Sequence, residues 1–174
     1  MLDVYKIRKD FPILGKKVNN TDLIYFDNAA TSQTPNQVID AISNYYKETN
    51  SNIHRGLHSL SADATNKYEN SRSIIKNHFG AAYEHEIIFT SGTTHGINII
   101  SSGLEKFISS KDELIVSEME HHSNIVPWQM LCEKTGSKLK IIPINDDGTL
   151  NMDEYKLLLT SKVKFVFINH VSNT

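Results

Sequence analysis

Two kinds of apolar stretch alternate along the chain. Short runs rich in β-branched and aromatic residues fall at 23–26, 86–90, 113–117, 138–144 and 164–170, and the length and composition of these runs predict strands. Between them the apolar residues recur at helical spacing. The clearest helix is expected over 62–79, with Ala64, Tyr68, Ile75 and Phe79 on one side and Gly80 placed to end it. Further helices are expected over 94–107, from about Ile125 to Gly136 with Pro127 tolerated in the first turn, and over 152–159 after the turn signature Asp146-Asp147-Gly148. The first 14 residues read as a short amphipathic helix leading into Pro12. Strands joined by helices in this order predict an α/β fold, a mostly parallel sheet with helices on both faces.

Composition narrows the partners more than the fold. The 174 residues are 39% hydrophobic and 22% charged, an ordinary globular balance long enough to bury a core. Eighteen basic against 20 acidic residues, with no basic block, give no reason to expect nucleic acid or an anionic membrane. Asp3, Lys6, Arg8, Lys9 and Asp10 interrupt any signal-peptide core, and no apolar stretch approaches the roughly 18 residues of a membrane span. A single cysteine, Cys132, excludes an internal disulfide, so a cytoplasmic setting is expected.

In open α/β sheets ligands sit beyond the carboxyl ends of the strands, and here those ends carry the chemistry. After 86–90 comes Ser91-Gly92-Thr93-Thr94-His95-Gly96-Ile97-Asn98. Gly92 permits a tight turn, two threonine hydroxyls stand beside free helix-start amides, and the helix dipole favours an anion by roughly 0.3–2 kcal/mol. A plain N-cap would use the same residues. After 113–117 comes Glu118-Met119-Glu120-His121-His122-Ser123-Asn124, and after 164–170 comes Val171-Ser172-Asn173. A phosphate holder, an imidazole and an amide around one crevice suggest a phosphorylated aromatic cofactor, and pyridoxal 5′-phosphate has that anatomy. The duller readings are a solvated His121-His122 pair and a turn asparagine at 173. His54 and His58 have the i, i+4 spacing of helical metal ligands, but Gly56 lies between them and the zinc motif's glutamate is missing, so no metal is expected. Cys132 falls in a helical pattern and reads as a packed thiol.

Five segments together carry a family resemblance: Tyr25-Phe26-Asp27-Asn28-Ala29-Ala30-Thr31, His54-Arg55-Gly56-Leu57-His58, the Ser91–Asn98 run, Glu120-His121-His122-Ser123-Asn124-Ile125-Val126-Pro127-Trp128 and His170-Val171-Ser172-Asn173. In this order they resemble the SUF-type cysteine desulfurases, pyridoxal-phosphate enzymes of the class V aminotransferase group. The resemblance implies that Thr93 and Thr94 hold the phosphate, that His121 stacks on the pyridine ring and assists proton transfers, and that Asn173 faces the ring hydroxyl. It implies that Asn28 and Ala29 lie near the substrate carboxylate. His54 and Arg55 match a segment that approaches the site from the neighbouring subunit of a homodimer. Many relatives carry Glu where this chain has His95. The implied reaction removes sulfur from L-cysteine, leaving alanine and an enzyme persulfide, which passes to a sulfur-acceptor protein for iron–sulfur cluster assembly.

Family members run to more than twice this length. Their pyridinium-pairing Asp, Schiff-base Lys, phosphate-binding His and sulfur-accepting Cys would follow position 174, and no lysine here stands in a Ser-x-His-Lys setting. The resemblance therefore implies an N-terminal fragment. Residues 1–22 would be an arm joining the small domain, and 23–174 an incomplete large domain of the aspartate-aminotransferase-like fold. The strand at 86–90 would lack its antiparallel partner, and the chain alone is expected to be poorly stable and inactive. A selenocysteine lyase or a kynureninase-like hydrolase shares most of these motifs. A non-catalytic phosphate-binding module remains a reading of another class, though neither common nucleotide loop is present.

Overall fold

The fold, taken from a computed structural model that describes residues 2–172, divides into two units, one up to Ile88 and one from Phe89. The second unit holds the sheet. Its strands β3 (Glu113–Ser117), β4 (Lys138–Ile142) and β5 (Val163–Phe167) are parallel, in the order β4-β3-β5. The expected strand at 113–117 is found with those bounds, and those at 138–144 and 164–170 are found within a few residues of them. Leu114, Ile115 and Val116 are buried in succession, which is the mark of a central strand covered on both sides.

Helices supply that cover. Helix α4 (Thr93–Leu104) runs on from the turn at Gly92, and α5 (Val126–Thr135) begins with Pro127 in its first turn and ends at Gly136, whose φ of +73° is the left-handed cap the sequence predicts. Leu114 and Val116 pack with Trp128, Leu131, Cys132 and Ile108, and Ile97, Leu104, Leu139, Phe165 and Phe167 close around them. The Trp128 indole lies flat on the Phe167 ring, centroids 3.6 Å apart. Helix α6 (Met152–Leu158), capped by the Asn151 side chain, packs on β4. The register pairs Ser117 at the end of β3 with Ile142 in β4 and Val116 with Phe167 in β5, so the three carboxyl ends fall level.

The first unit is mostly helical. It contains α1 (Val4–Arg8), a two-stranded antiparallel ribbon of β1 (Lys17–Val18) and β2 (Thr21–Asp22), α2 (Asn36–Asn44) continued by a π-helical turn at Tyr45–Thr49, and α3 (Ser59–Phe79). Helix α3 begins three residues before the expected 62 and stops where Gly80, at φ +68°, ends it.

Two expected strands are corrected. Residues 23–26 form no strand, because the hairpin pairing is used up by Lys17↔Asp22 and Val18↔Thr21 just before them. Residues 86–90 form none either: a 3-10 turn occupies Glu84–Glu86, and the residues after it join no ladder. An apolar run becomes a strand only where a neighbouring strand pairs with it, and no ladder among the described residues includes this one. The Arg72 guanidinium instead takes up the Ile87 carbonyl.

Candidate functional site

The second unit brings together the candidates on α4 and after β3. Gly92 has φ +144°, which only glycine adopts without strain, and an added Cβ would meet nothing within 4 Å, so the requirement is conformational. The turn lets α4 start abruptly. The first bond within the helix runs from the Gly96 amide to the Gly92 carbonyl at 3.1 Å, so the amides of Thr93, Thr94 and His95 precede the helical ladder. No side chain caps this helix start from Gly92. Both threonines are exposed. The turn is braced from behind: Thr90 Oγ1 donates to the Gly92 carbonyl at 3.1 Å, and His95 Nδ1 accepts the Ser91 amide at 3.3 Å beside its hydroxyl at 2.9 Å. A set of neutral N–H and O–H donors at a positive dipole end suits a phosphate dianion, so the residues present fit the phosphate of pyridoxal phosphate.

His121 opens the 3-10 turn His122–Asn124 that follows β3, and α4 packs against that turn. Its ring is exposed but its orientation is fixed. The Ser123 amide donates to His121 Nδ1 at 3.1 Å, and the Ser123 hydroxyl lies 2.9 Å from the same nitrogen. An amide can only donate, so Nδ1 is the acceptor and a neutral ring carries its proton on Nε2. That leaves an N–H at the far edge of a planar ring, which meets the His122 ring edge-on with centroids 6.1 Å apart. Ser172 is tied back to this region by its hydroxyl, which donates to the Met119 carbonyl at 2.8 Å. Asn173, the expected partner of the ring hydroxyl, lies outside the described residues.

The other candidates lie in the first unit. Asn28 and Ala29 sit in a tight turn in which the Tyr25 hydroxyl donates to the carbonyls of Asp27 at 3.1 Å and Thr31 at 2.7 Å. Asn28 lines a hollow of about 440 Å³ with Arg8, Phe11, Leu14, Tyr25, Ser32 and Gln33. His54 has φ +63°, a conformation for which His is one of the few side chains enriched. Its Nε2 lies 3.2 Å from Glu69 Oε1, and its amide donates to Thr65 Oγ1 at 3.0 Å. His58 is engaged as the cap of α3, accepting the Ser61 amide at 3.3 Å on Nδ1. Arg55, next to His54, is exposed.

Cys132 is packed, as its helical setting predicts: it is 7% exposed, and burial pushes its thiol up from the ordinary value, against a smaller opposing effect of the Ser137 hydrogen bond. Such a thiol is a poor nucleophile. Glu120, which is not among the expected site residues, is buried directly beside His121. Its signal in the sequence is the spacing of Glu120, Asn124 and Trp128 within the quoted motif.

A parallel sheet flanked by helices, with unbonded helix-start amides on α4 and a fixed imidazole in the turn after β3, defines an α/β protein with a candidate anion-binding helix start. The chain belongs to the class-V aminotransferase family, whose model matches residues 24–174. It is 51% identical to a probable cysteine desulfurase of Staphylococcus epidermidis over 172 residues, 98% of this chain and 42% of that one. Its fold matches the apo structure of the cysteine desulfurase from Thermococcus onnurineus with a TM-score of 0.89 at 38% identity, covering all of this chain and 42% of that one. The cysteine desulfurase CsdA of Escherichia coli gives a TM-score of 0.78 at 29% identity over 95% of this chain and 41% of that structure. The chain thus spans less than half the length of the relatives it matches. Enzymes of this family depend on pyridoxal phosphate.

Proposed function

We propose that this chain is the cofactor-cradling part of a cysteine desulfurase that uses pyridoxal 5′-phosphate. The observation that carries this reading is the packing of α4, with its free helix-start amides, against the turn that fixes His121. The amides and hydroxyls of Thr93 and Thr94 bind the phosphate and fix the position of the ring. His121 covers one ring face, excludes water from it, and holds or delivers a proton at Nε2. Asn173 donates to the ring hydroxyl. Asn28 and Ala29 orient the carboxylate of L-cysteine, and His54 and Arg55 reach a neighbouring subunit's site in a homodimer. When bound, pyridoxal phosphate supplies an electron sink that eases bond breaking at the substrate α-carbon.

The run from Glu120 to Trp128 supports the SUF-type branch, and with it a sulfur-acceptor protein of iron–sulfur assembly as partner and a cytoplasmic setting. Among the described residues no helix is long and apolar enough to cross a membrane. No lysine of the sequence has the family's Ser-x-His-Lys setting, and the single cysteine is buried in the core. These 174 residues are therefore expected to bind the cofactor without turnover.

The test is binding by equilibrium dialysis of pyridoxal phosphate against pyridoxal, together with a sulfide assay on cysteine. The phosphorylated form should bind at least about tenfold more tightly, a preference that Thr94→Val reduces. Equal affinity for the two forms overturns the cradle. Sustained sulfide release by these residues alone overturns the assignment of the bond-making groups elsewhere.

A further inference from the structure

Glu120 is a carboxylate only 7% exposed, and among the described residues no cation pairs with it. It is satisfied by neutral donors from three parts of the second unit. Oε1 accepts from the Ser117 hydroxyl at 2.5 Å, at the end of β3, and from the Asn169 amide at 3.0 Å, just past β5. Oε2 accepts from the Asn124 side-chain amide at 2.7 Å, at the entry to α5.

The polarity of this chain of bonds is fixed from its far end. The Trp128 indole N–H, which can only donate, gives its hydrogen to Asn124 Oδ1 at 2.9 Å. Asn124 must then turn its NH₂ toward position 120, where only an acceptor will serve. Glutamine would set its NH₂ against either the Asn124 NH₂ or the Asn169 amide, and alanine would leave three donors without a partner.

The same residues hold the two segments that carry ring-side groups. The Asn124 amide donates to the His121 carbonyl at 2.7 Å, closing the turn that fixes the imidazole. Asn169 Nδ2 and the Ser172 hydroxyl both donate to the Met119 carbonyl, at 3.2 and 2.8 Å, directly before Glu120. The segment leading to Asn173 is thereby bonded to the segment leading to His121.

We propose that Glu120 is a positioning residue that locks the loop after β3 and the segment after β5, up to Ser172, into one register, so that His121 is held in place for a ligand ring. The ring-binding consequence rests on the cofactor reading above; the locking does not.

The test compares wild type, E120Q and the milder S117A, which removes one of the three donors, with L139A as a control for simple loss of packing. Amide exchange at Asn169 and in the 121–124 turn, and the indole N–H resonance of the single tryptophan, report the lock. E120Q should speed exchange at these sites about tenfold and shift the indole signal, with S117A intermediate and L139A leaving the indole signal in place. Pyridoxal phosphate should then bind about tenfold more weakly to E120Q, while inorganic phosphate, which meets only the α4 cradle, binds as to wild type.

Unchanged exchange and an unmoved indole signal in E120Q overturn the proposal. So does a parallel loss of both ligands, which marks a general structural defect. Should E120Q fail to fold, S117A decides by the same readouts. Failure of wild type to bind pyridoxal phosphate overturns the cofactor reading alone, because exchange and indole shift still decide the role of Glu120.

Discussion

Up to Ile88 the described chain buries one hydrophobic side chain, Ala64, while Phe26 stands 94% exposed and Leu57 fully so; from Phe89 on, Leu114, Ile115, Val116, Trp128 and Ile142 are almost completely buried. Both units have well-ended helices, so helix formation is not what separates them. In the first unit order comes from local polar bonds. Ser61 Oγ donates to the Asn52 carbonyl at 2.7 Å and accepts the Gly56 amide at 3.1 Å, His58 caps α3, and Arg72 Nε meets Glu69 at 3.0 Å. In the second, a central strand with apolar residues on both faces gives the helices something to cover. Local polar bonds of the first kind contribute about 0.5–1.5 kcal/mol each, whereas each fully buried large side chain contributes about 1.5–3 kcal/mol. Stability is therefore concentrated in the unit that carries Thr93, Thr94 and His121.

The sharpest way to break this contrast is to cut a core side chain. Leu114→Ala should cost about 3–5 kcal/mol in urea denaturation, since Leu114 is fully buried at the centre of the sheet. Phe26→Ala, in the first unit, should change stability by no more than about 0.5 kcal/mol. Hydrogen exchange sharpens the point: amides of β3 and α5 should be the slowest in the chain, and those of α2, which buries no residue, among the fastest. Equal costs for the two variants would show that the exposed apolar residues of the first unit are covered in solution.

What was legible in the sequence divides along the same line. The Leu-Ile-Val run of β3 and the glycine ends of α3 and α5 were readable because the local pattern and the tertiary environment agree. The runs at 23–26 and 86–90 have equal strand character and form no strand, since pairing is a property of the neighbour and not of the run itself. Helix α2 escaped notice although Pro35 marks its start. Thr93, Thr94 and His121 were singled out because they occupy contiguous motifs, the first two at the start of α4 and the third in the turn after β3. Asn28, Ala29, His54 and Arg55 stood on family resemblance alone. The Glu120 relay was hidden for another reason. Its i, i+4, i+8 spacing lies in plain sight, but the meaning depends on Asn169, 49 residues away, reaching the same carboxylate.

A smaller effect tests the claim that polar bonds hold the first unit. A Cβ on Gly56 would lie 2.5 Å from Ser61 Cβ and 2.6 Å from Ser61 Oγ, and Ser61 is itself buried. Gly56→Ala should cost about 1–3 kcal/mol, read as faster exchange at the start of α3. In the second unit Gly103, inside α4, has nothing within 4 Å of the added atom, and Gly103→Ala should gain about 0.5–1 kcal/mol through helix propensity. The opposite signs are the test, because the reduced freedom of the unfolded chain alone would make both substitutions favourable.

The smallest expected effect concerns acid. Asp112, in the turn entering β3, accepts the Ser109 amide and the Ser109 hydroxyl on Oδ2, both at 2.8 Å, and these bonds hold its carboxyl below the ordinary range, with Lys164 adding a weaker pull in the same direction. Asp147 is held low in the same way by the Thr149 hydroxyl and amide, in the turn between β4 and α6. Both carboxyls belong to the second unit. A folded-state value below the unfolded one means that the folded chain binds the proton less readily, so each group's contribution is complete above the unfolded value of about 3.9 and is lost as pH falls through the folded value. Asp112→Asn should therefore be slightly less stable than wild type at pH 7, and the gap should narrow as pH drops below about 4. Ser109→Ala, which removes the hydroxyl donor and keeps the amide, should show part of the same narrowing. A gap that stays constant with pH would mean that the turn depends on the shape of the Asp112 side chain and not on its charge, and the second unit would then owe its stability to the apolar core alone.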